Sequence, residues 1–467
     1  MLSFWRESRK IVLHRSKFPR FPDKARNIPS VSELMSMADT TSEIAGDFRG
    51  EQWGGHRGCG PLIAPWGEQL RPLRQQVFEQ VRAAGLISRA QVAKDLGISP
   101  ATVTTLISEL LEDALIQEVA VARETDNLRG RPAVALGVRG AAHVVAGMKL
   151  SDREHTAVIS DFAGNMLADV SLPRDPLPMP LGQMLAAIEE LLERVCRKAG
   201  VARQALSGVG IGLPGFVGHD EGMVHWSSIL SERAVPLAAA ARDRLGLPVA
   251  IDNDANLVAL AELWFGAGRS LSDFAVVTIE HGVGMGFVMH HRVYRGAQSV
   301  GMELGHTKVQ LDGALCRCGQ RGCLEAYVAD YALAREAVTV LNIDSRSQPS
   351  VGAVLEQLFQ RAKEGDPTAR SIFRRAGRYL ALGLANVINL FDPALIILSG
   401  ERMRYDYLYA DETLSEMSDL VINTGRPRPG VEIHAWGDML WAQGAAALAL
   451  SVLSDRVLTA PRDTAVA

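Results

Sequence analysis

One short stretch of the chain gathers His306, Cys316, Cys318 and Cys323, an imidazole and three thiols. Together they make a complete tetrahedral donor set for zinc. No position would remain for water, so such an ion would be structural and would stiffen the loop that also carries Glu303 and Glu325. The alternative is three reduced cysteines in an ordinary loop. The second candidate is Asp254, within Asp252-Asn253-Asp254-Ala255-Asn256. It follows the strand-like run 249–251, where an α/β fold places carboxylates that line a cleft.

The whole chain sets the context for these groups. Its 467 residues carry 49 Lys plus Arg against 53 Asp plus Glu, a formal charge of −4, which excludes a generally polybasic nucleic-acid binder. With 47% apolar and 22% charged residues it has enough material for ordinary soluble cores, and its length suggests about three domains. No run approaches the ~18 apolar residues of a membrane span. The basic N-terminus lacks a signal-peptide core. Three of the five cysteines crowd into 316–323, which suits a metal site better than a disulfide framework and points to a reducing cytoplasm. Residues 1–68 show no sustained period and read as a disordered extension. A basic arm touching DNA phosphates, or a true start at Met35 or Met37, is equally compatible with them.

Residues 69–140 read as a winged helix-turn-helix domain. Leu73, Val77, Val81 and Leu86 mark one helix, and Ile87 to Ala93 opens a second. Ser99-Pro100 begins a third, Ser as N-cap and Pro where no amide is needed. Val103, Leu106, Ile107 and Leu110 then bury one face. Ser99, Thr102, Thr104, Thr105 and Ser108 are left to meet DNA in a major groove, across a Gly97-Ile98 corner. Arg123 to Arg139 fits a hairpin wing with Arg129 and Arg131 near its tip, where an arginine can enter a minor groove. Nine basic against eight acidic residues in 69–140 predict modest, salt-sensitive nonspecific affinity.

Beyond residue 141 strand-like and helix-like segments alternate, as an α/β fold requires. Strands at 143–150, 155–161 and 166–171 form a meander, and 274–278, 286–289 and 293–294 form another. The repeat predicts two lobes with a cleft between them: 141–262 plus 435–455, and 263–434.

Cys316-Arg317-Cys318-Gly319-Gln320-Arg321-Gly322-Cys323-Leu324-Glu325, preceded by Gly301-Met302-Glu303-Leu304-Gly305-His306, resembles the ROK family. That family comprises sugar-dependent repressors, uncharacterised frames and sugar kinases. The resemblance covers about 143–453 and implies a two-lobed actin-like ATPase (RNase H-like) fold, here behind a winged module like that of the repressor branch. It also implies that Asn253, Asp254, Glu303, His306 and Glu325 hold sugar hydroxyls, with Ser228 standing where kinases often have Asn. Carboxylates and amides suit polyols because each can serve a vicinal pair of hydroxyls. In family kinases the residue matching Asp254 is the general base that takes a proton from the sugar hydroxyl before that hydroxyl attacks the γ-phosphate.

The phosphate side departs from the family pattern. Where kinases carry Asp-x-Gly-x-Thr, this chain has Lys149-Leu150-Ser151-Asp152-Arg153. A lysine cannot help hold Mg²⁺ as a carboxylate does, which argues against ATP and Mg²⁺. The glycine turn Gly282-Val283-Gly284-Met285-Gly286 and the pair Ser399-Gly400 read as fold remnants. The expected function is therefore a sugar-responsive transcriptional regulator, most simply a repressor. It would bind operator DNA as a homodimer or tetramer and take a sugar or sugar phosphate in the cleft. An ATP-dependent hexose or amino-sugar kinase with an appended DNA-binding domain is the alternative, and a regulator induced by another protein is a third.

Overall fold

The computed structural model describes residues 58–62, 71–121, 133–340, 350–400, 411–425, 427–434 and 439–459. Arg129 and Arg131 lie outside them, and so does most of 1–68. Gly58–Leu62 fall inside the span expected to be an extension without structure, yet Cys59 and Gly60 within it are buried. Backbone bonds join Cys59 N–H to the Arg82 carbonyl and Gly60 N–H to the Trp264 carbonyl.

Three helices come first among the described residues: α1 (Leu73–Ala84), α2 (Arg89–Leu96) and α3 (Pro100–Glu112). Gly97 ends α2 in the left-handed region at φ 62°, a conformation glycine adopts without penalty. Ser99 caps α3 by accepting a bond from Thr102 N–H. A two-stranded antiparallel hairpin follows, β1 (Ile116–Val121) with β2 (Ala133–Val138). Its first arm lies earlier than the expected start at Arg123, because buried Leu115 and Ile116 carry the chain straight out of α3 into the sheet.

The first lobe is built on β3 (Val144–Lys149), β4 (Glu154–Asp161), β5 (Met166–Pro173), β6 (Leu206–Leu213) and β9 (Val249–Asn253), with α4 (Leu181–Ala199) and α5 (Leu237–Leu245). A small hairpin, β7 (Phe216–Gly218) with β8 (Met223–Trp226), precedes α5. The helix α6 (Asp254–Phe265) leads into the second lobe, whose strands are β10 (Phe274–Ile279), β11 (Val283–Met289), β12 (Arg292–Tyr294), β13 (Leu395–Ser399) and β14 (Gly430–His434). The sheet orders are β5-β4-β3-β6-β9 and β12-β11-β10-β13-β14. In both, the first three strands run antiparallel and the remaining pairings are parallel. The two lobes therefore repeat one plan.

Helices α7 (Glu325–Val328), α8 (Asp330–Val340), α9 (Val351–Lys363), α10 (Pro367–Phe391) and α11 (Asp411–Leu420) belong to the second lobe. Asp366 caps α10 with Pro at its first position, and Asp392 ends it in the left-handed region. The last helix, α12 (Met439–Thr459), returns to the first lobe. Its small residues permit backbone contact: a Cβ on Gly147 would sit 2.2 Å from the Ala442 carbonyl oxygen, and one on Gly444 would sit 2.0 Å from that of Leu257. A single apolar cluster joins the three N-terminal helices to α6 and α12. None of the described helices is long and apolar enough to cross a membrane.

Candidate functional site

Asp252, Asn253 and Asp254 stand where β9 runs into α6. Asn253 caps the helix, its side-chain oxygen accepting Ala255 N–H at 2.8 Å while its amide donates to the Gly215 carbonyl at 2.8 Å. The side chain expected to hold sugar is thus also the clamp that joins the Pro214-Gly215 turn to the helix start. Burial pushes the Asp254 carboxyl up, and the Lys149 ammonium pulls it back. Lys149 itself is buried at the end of β3, 4.0 Å above the Trp441 ring of α12. Its place corresponds to the metal-orienting carboxylate of the expected kinase motif, so a fixed cation now stands where that motif would recruit one.

Glu303 and Glu325 complete a group of carboxylates with Asp254. Burial pushes Glu303 up to about 7, and the charges of Asp254 and Glu325 add to the effect. His306 lies beside them, its Nε2 4.0 Å from Glu303 Oε2 and its ring 6.2 Å from that of Phe216 on β7. First-lobe and second-lobe residues therefore face each other here. Ser228 is exposed in the turn after β8. Its neighbour Ser227 is the buried one, donating to the Pro214 carbonyl at 2.6 Å.

The other ring nitrogen of His306 turns toward the cysteines. Nδ1 lies 3.8 Å from Cys316 Sγ, Cys318 and Cys323 sulfurs are 3.7 Å apart, and the four donor atoms lie within 4.8 Å of one another. With Zn–S bonds of about 2.3 Å, tetrahedral sulfurs are separated by about 3.8 Å. The donor set and its spacing fit that ion. One imidazole can thus hold a metal through Nδ1 and offer Nε2 to the cleft, which reconciles its two expected roles. Glu325 Oε1 accepts from Cys316 Sγ at 3.5 Å and from the Tyr331 hydroxyl at 3.3 Å, while Oε2 accepts Val283 N–H at 3.4 Å. The cysteine loop is thereby tied to the glycine turn between β10 and β11.

That turn opens with His281. Its Nε2 is 3.1 Å from Asp152 of the β3–β4 turn, and its Nδ1 is 3.0 Å from Asp330 at the start of α8. Hydrogen bonds donated to both carboxylates push the imidazole up to about 9, which favours the imidazolium at neutral pH. On the side of the cleft where the kinase motif would cradle phosphate, a cation held by two aspartates spans the lobes.

Residues 145–452 match the sequence profile of the ROK family. The chain belongs to the ROK family. The xylose repressor of Caldicellulosiruptor bescii is 27% identical over 336 residues, which cover 70% of this chain and 82% of that protein. Among solved structures, a ROK family transcriptional regulator described as a homolog of the Escherichia coli MLC protein superposes with a TM-score of 0.68 at 26% identity, covering 83% of this chain and 97% of its own. The ROK hexokinase of Thermus thermophilus superposes at 0.57 and 30% identity, covering 67% of this chain and 99% of its own.

Three features of this ROK cleft escaped the sequence reading. Asp252 is fully buried and accepts from Arg295 Nε at 2.8 Å and Nη2 at 2.6 Å, an ion pair between the lobes. The Asp152–His281–Asp330 bridge is another. The third is the Trp441 ring beneath Lys149. Each pairs residues far apart in the chain, and only an aspartate beside a known loop could have drawn notice to the first.

In the N-terminal helices Ser99, Thr104, Thr105 and Ser108 are exposed and Thr102 is half-buried. The Ser99 hydroxyl is committed to the cap, and Thr104 and Thr105 bond back to the carbonyls of Pro100 and Ala101. Several nearby cations are also engaged: Arg71 with Glu79, Arg74 with Asp113, and Arg89 with Glu118.

Proposed function

We propose that this ROK protein is a sugar-responsive transcriptional regulator, most simply a repressor of genes for carbohydrate use or transport. The observation that carries this reading is the asymmetry of the cleft. Asp254, Glu303, Glu325 and His306 are gathered as a polyol site would require, whereas the phosphate side holds Lys149 on Trp441 and the Asp152–His281–Asp330 bridge.

Residues 69–140 would be the DNA-binding module. The exposed side of α3, with Thr102, Thr104, Thr105 and Ser108, would enter the major groove, and a wing bearing Arg129 and Arg131 would reach the minor groove. The engaged arginines of this module favour readout of bases over general attraction to phosphate. Two such modules reading half-sites about 34 Å apart imply a homodimer or a dimer of dimers. The likeness to the solved regulator, which extends over more of the chain than the likeness to the hexokinase, supports the same assignment.

His306, Cys316, Cys318 and Cys323 would hold one zinc ion, whose contribution when bound is rigidity of the loop. The residues around it position Glu303 and Glu325 for sugar hydroxyls. The test is a selection of genomic DNA by the full-length protein, followed by titration of the selected duplex with D-xylose, D-glucose and N-acetyl-D-glucosamine. A coupling of about 1–3 kcal/mol would change operator affinity by roughly five- to 150-fold. No preferred DNA at low salt, or no effect of any sugar or sugar phosphate on its binding, would refute the proposal. Phosphoryl transfer abolished by Asp254→Asn would favour the kinase reading instead.

A further inference from the structure

We propose that Arg82 is the positioning residue through which the sugar cleft acts on the DNA-binding module. This rests on the regulator reading and adds the route. Helix α6 begins in the cleft at Asp254 and ends at Phe265, a rise of about 17 Å at 1.5 Å per residue. Near its far end Trp264 is buried, and the Arg82 guanidinium of α1 stacks 4.3 Å from its ring. Arg82 also lies 5.4 Å from the Phe78 ring and donates to Ser454 Oγ of α12 at 2.8 Å. One side chain of the module thus touches the helix that starts at the candidate sugar carboxylate and the helix that carries Trp441 beneath Lys149.

The chemistry of this contact is unusual for a purely structural one. Arg82 is 3% exposed, its Nε has no hydrogen-bond partner, and among the described residues its guanidinium makes no bond to a carboxylate. The nearest acids are committed elsewhere, Glu79 to Arg71 and Gln75, and Asp455 to Gln75. A buried cation with no carboxylate bonded to it is costly even with Glu79 and Asp455 acting on it from a distance, and an apolar side chain of similar volume would fill the space more cheaply. Desolvation accordingly holds the guanidinium below its usual range.

Two further links lock the stack into place. Gly58–Leu62 crosses it, Cys59 N–H bonding the Arg82 carbonyl at 3.0 Å and Gly60 N–H bonding the Trp264 carbonyl at 2.9 Å. Arg269, just past α6, donates to the Gly60 carbonyl at 3.1 Å and the Ala83 carbonyl at 2.6 Å. Movement of α6 at Trp264 must therefore displace the end of α1 or break these bonds. Transmission between the sites would require this contact to have two arrangements, the engaged one seen here and a withdrawn one.

The test uses full-length protein with Arg82→Met, which keeps the volume and removes the charge, and Arg82→Lys, which keeps the charge and cannot stack as a plane. Sugar affinity without DNA, operator affinity with and without D-xylose, D-glucose or N-acetyl-D-glucosamine, and hydrogen exchange across Leu73–Ala84 are measured. Both variants should bind sugar and DNA separately within about threefold of wild type, while the sugar-dependent change in operator affinity falls from at least about fivefold to under about twofold. The sugar-dependent change in exchange across α1 should disappear with it. Trp264→Leu carries the same expectation should either arginine variant fold poorly. A full sugar response in the variants overturns this inference and leaves the regulator reading standing. A wild-type protein insensitive to every sugar overturns both.

Discussion

His281 concentrates much of the lobe-to-lobe electrostatics in one side chain. Held between Asp152 and Asp330, it is pushed up to about 9 from an ordinary value of 6.5. A histidine whose folded value is raised contributes stability fully at pH below its unfolded value and loses it as pH rises through the folded value. The bridge should therefore hold at pH 6 and weaken progressively toward pH 9.5. Because the side chain is 38% exposed, solvent screening reduces the effect to about 1 kcal/mol. Thermal denaturation of wild type should show this decline between pH 6.5 and 9.5, and His281→Asn should remove it. A variant whose pH profile matches that of wild type would show that the bridge contributes nothing. At Asp254 the logic runs the other way: burial pushes the carboxyl up, and the Lys149 ammonium offsets only part of that rise.

The element that most directly shapes the candidate site is the loop from Glu303 to Glu325. It has little regular structure: Leu304–His306 form one short 3₁₀ turn, and the cysteine segment is held by turns and isolated bridges. Such a loop needs a cross-link to keep two carboxylates in register. Freshly purified, reductant-protected protein should contain about one zinc per chain. Cys318→Ser should lose that zinc and weaken sugar binding about tenfold or more through displaced carboxylates. Zinc near zero in wild type would contradict the assignment. The donors of this loop were legible in the sequence because all four lie close together in the chain. The paired meanders were legible too, since runs such as Phe274–Ile279 alternate with glycine turns. The Ser99-Pro100 helix start was equally clear. What pattern could not give was any contact set by topology. Arg82 meets Trp264 across 182 positions, Asp252 meets Arg295 across 43, and Gly58–Leu62 finds its place only where two distant helix ends converge. The first hairpin arm was misplaced because its strand begins while the residues of α3 are barely ended.

At the scale of the molecule, two lobes of one plan meet at the Asp252–Arg295 and Asp152–His281–Asp330 contacts, and the N-terminal helices share an apolar core with α6 and α12. The sequence suggested a DNA-binding module separate from the lobes. The described helices of that segment pack against α6, α12 and Gly58–Leu62, and the proposed coupling would run through these contacts. On the regulator reading, this site binds sugar without nucleotide or magnesium and does no phosphoryl transfer. The most direct measurement is calorimetric titration of D-xylose, D-glucose and N-acetyl-D-glucosamine into the full-length protein, with and without Mg²⁺ and ATP, with ADP quantified in the same samples. Binding of at least one sugar with the same affinity in both conditions, and no ADP beyond background, is the expected result. ADP formed in step with sugar, and lost on Asp254→Asn, would instead make the protein a kinase.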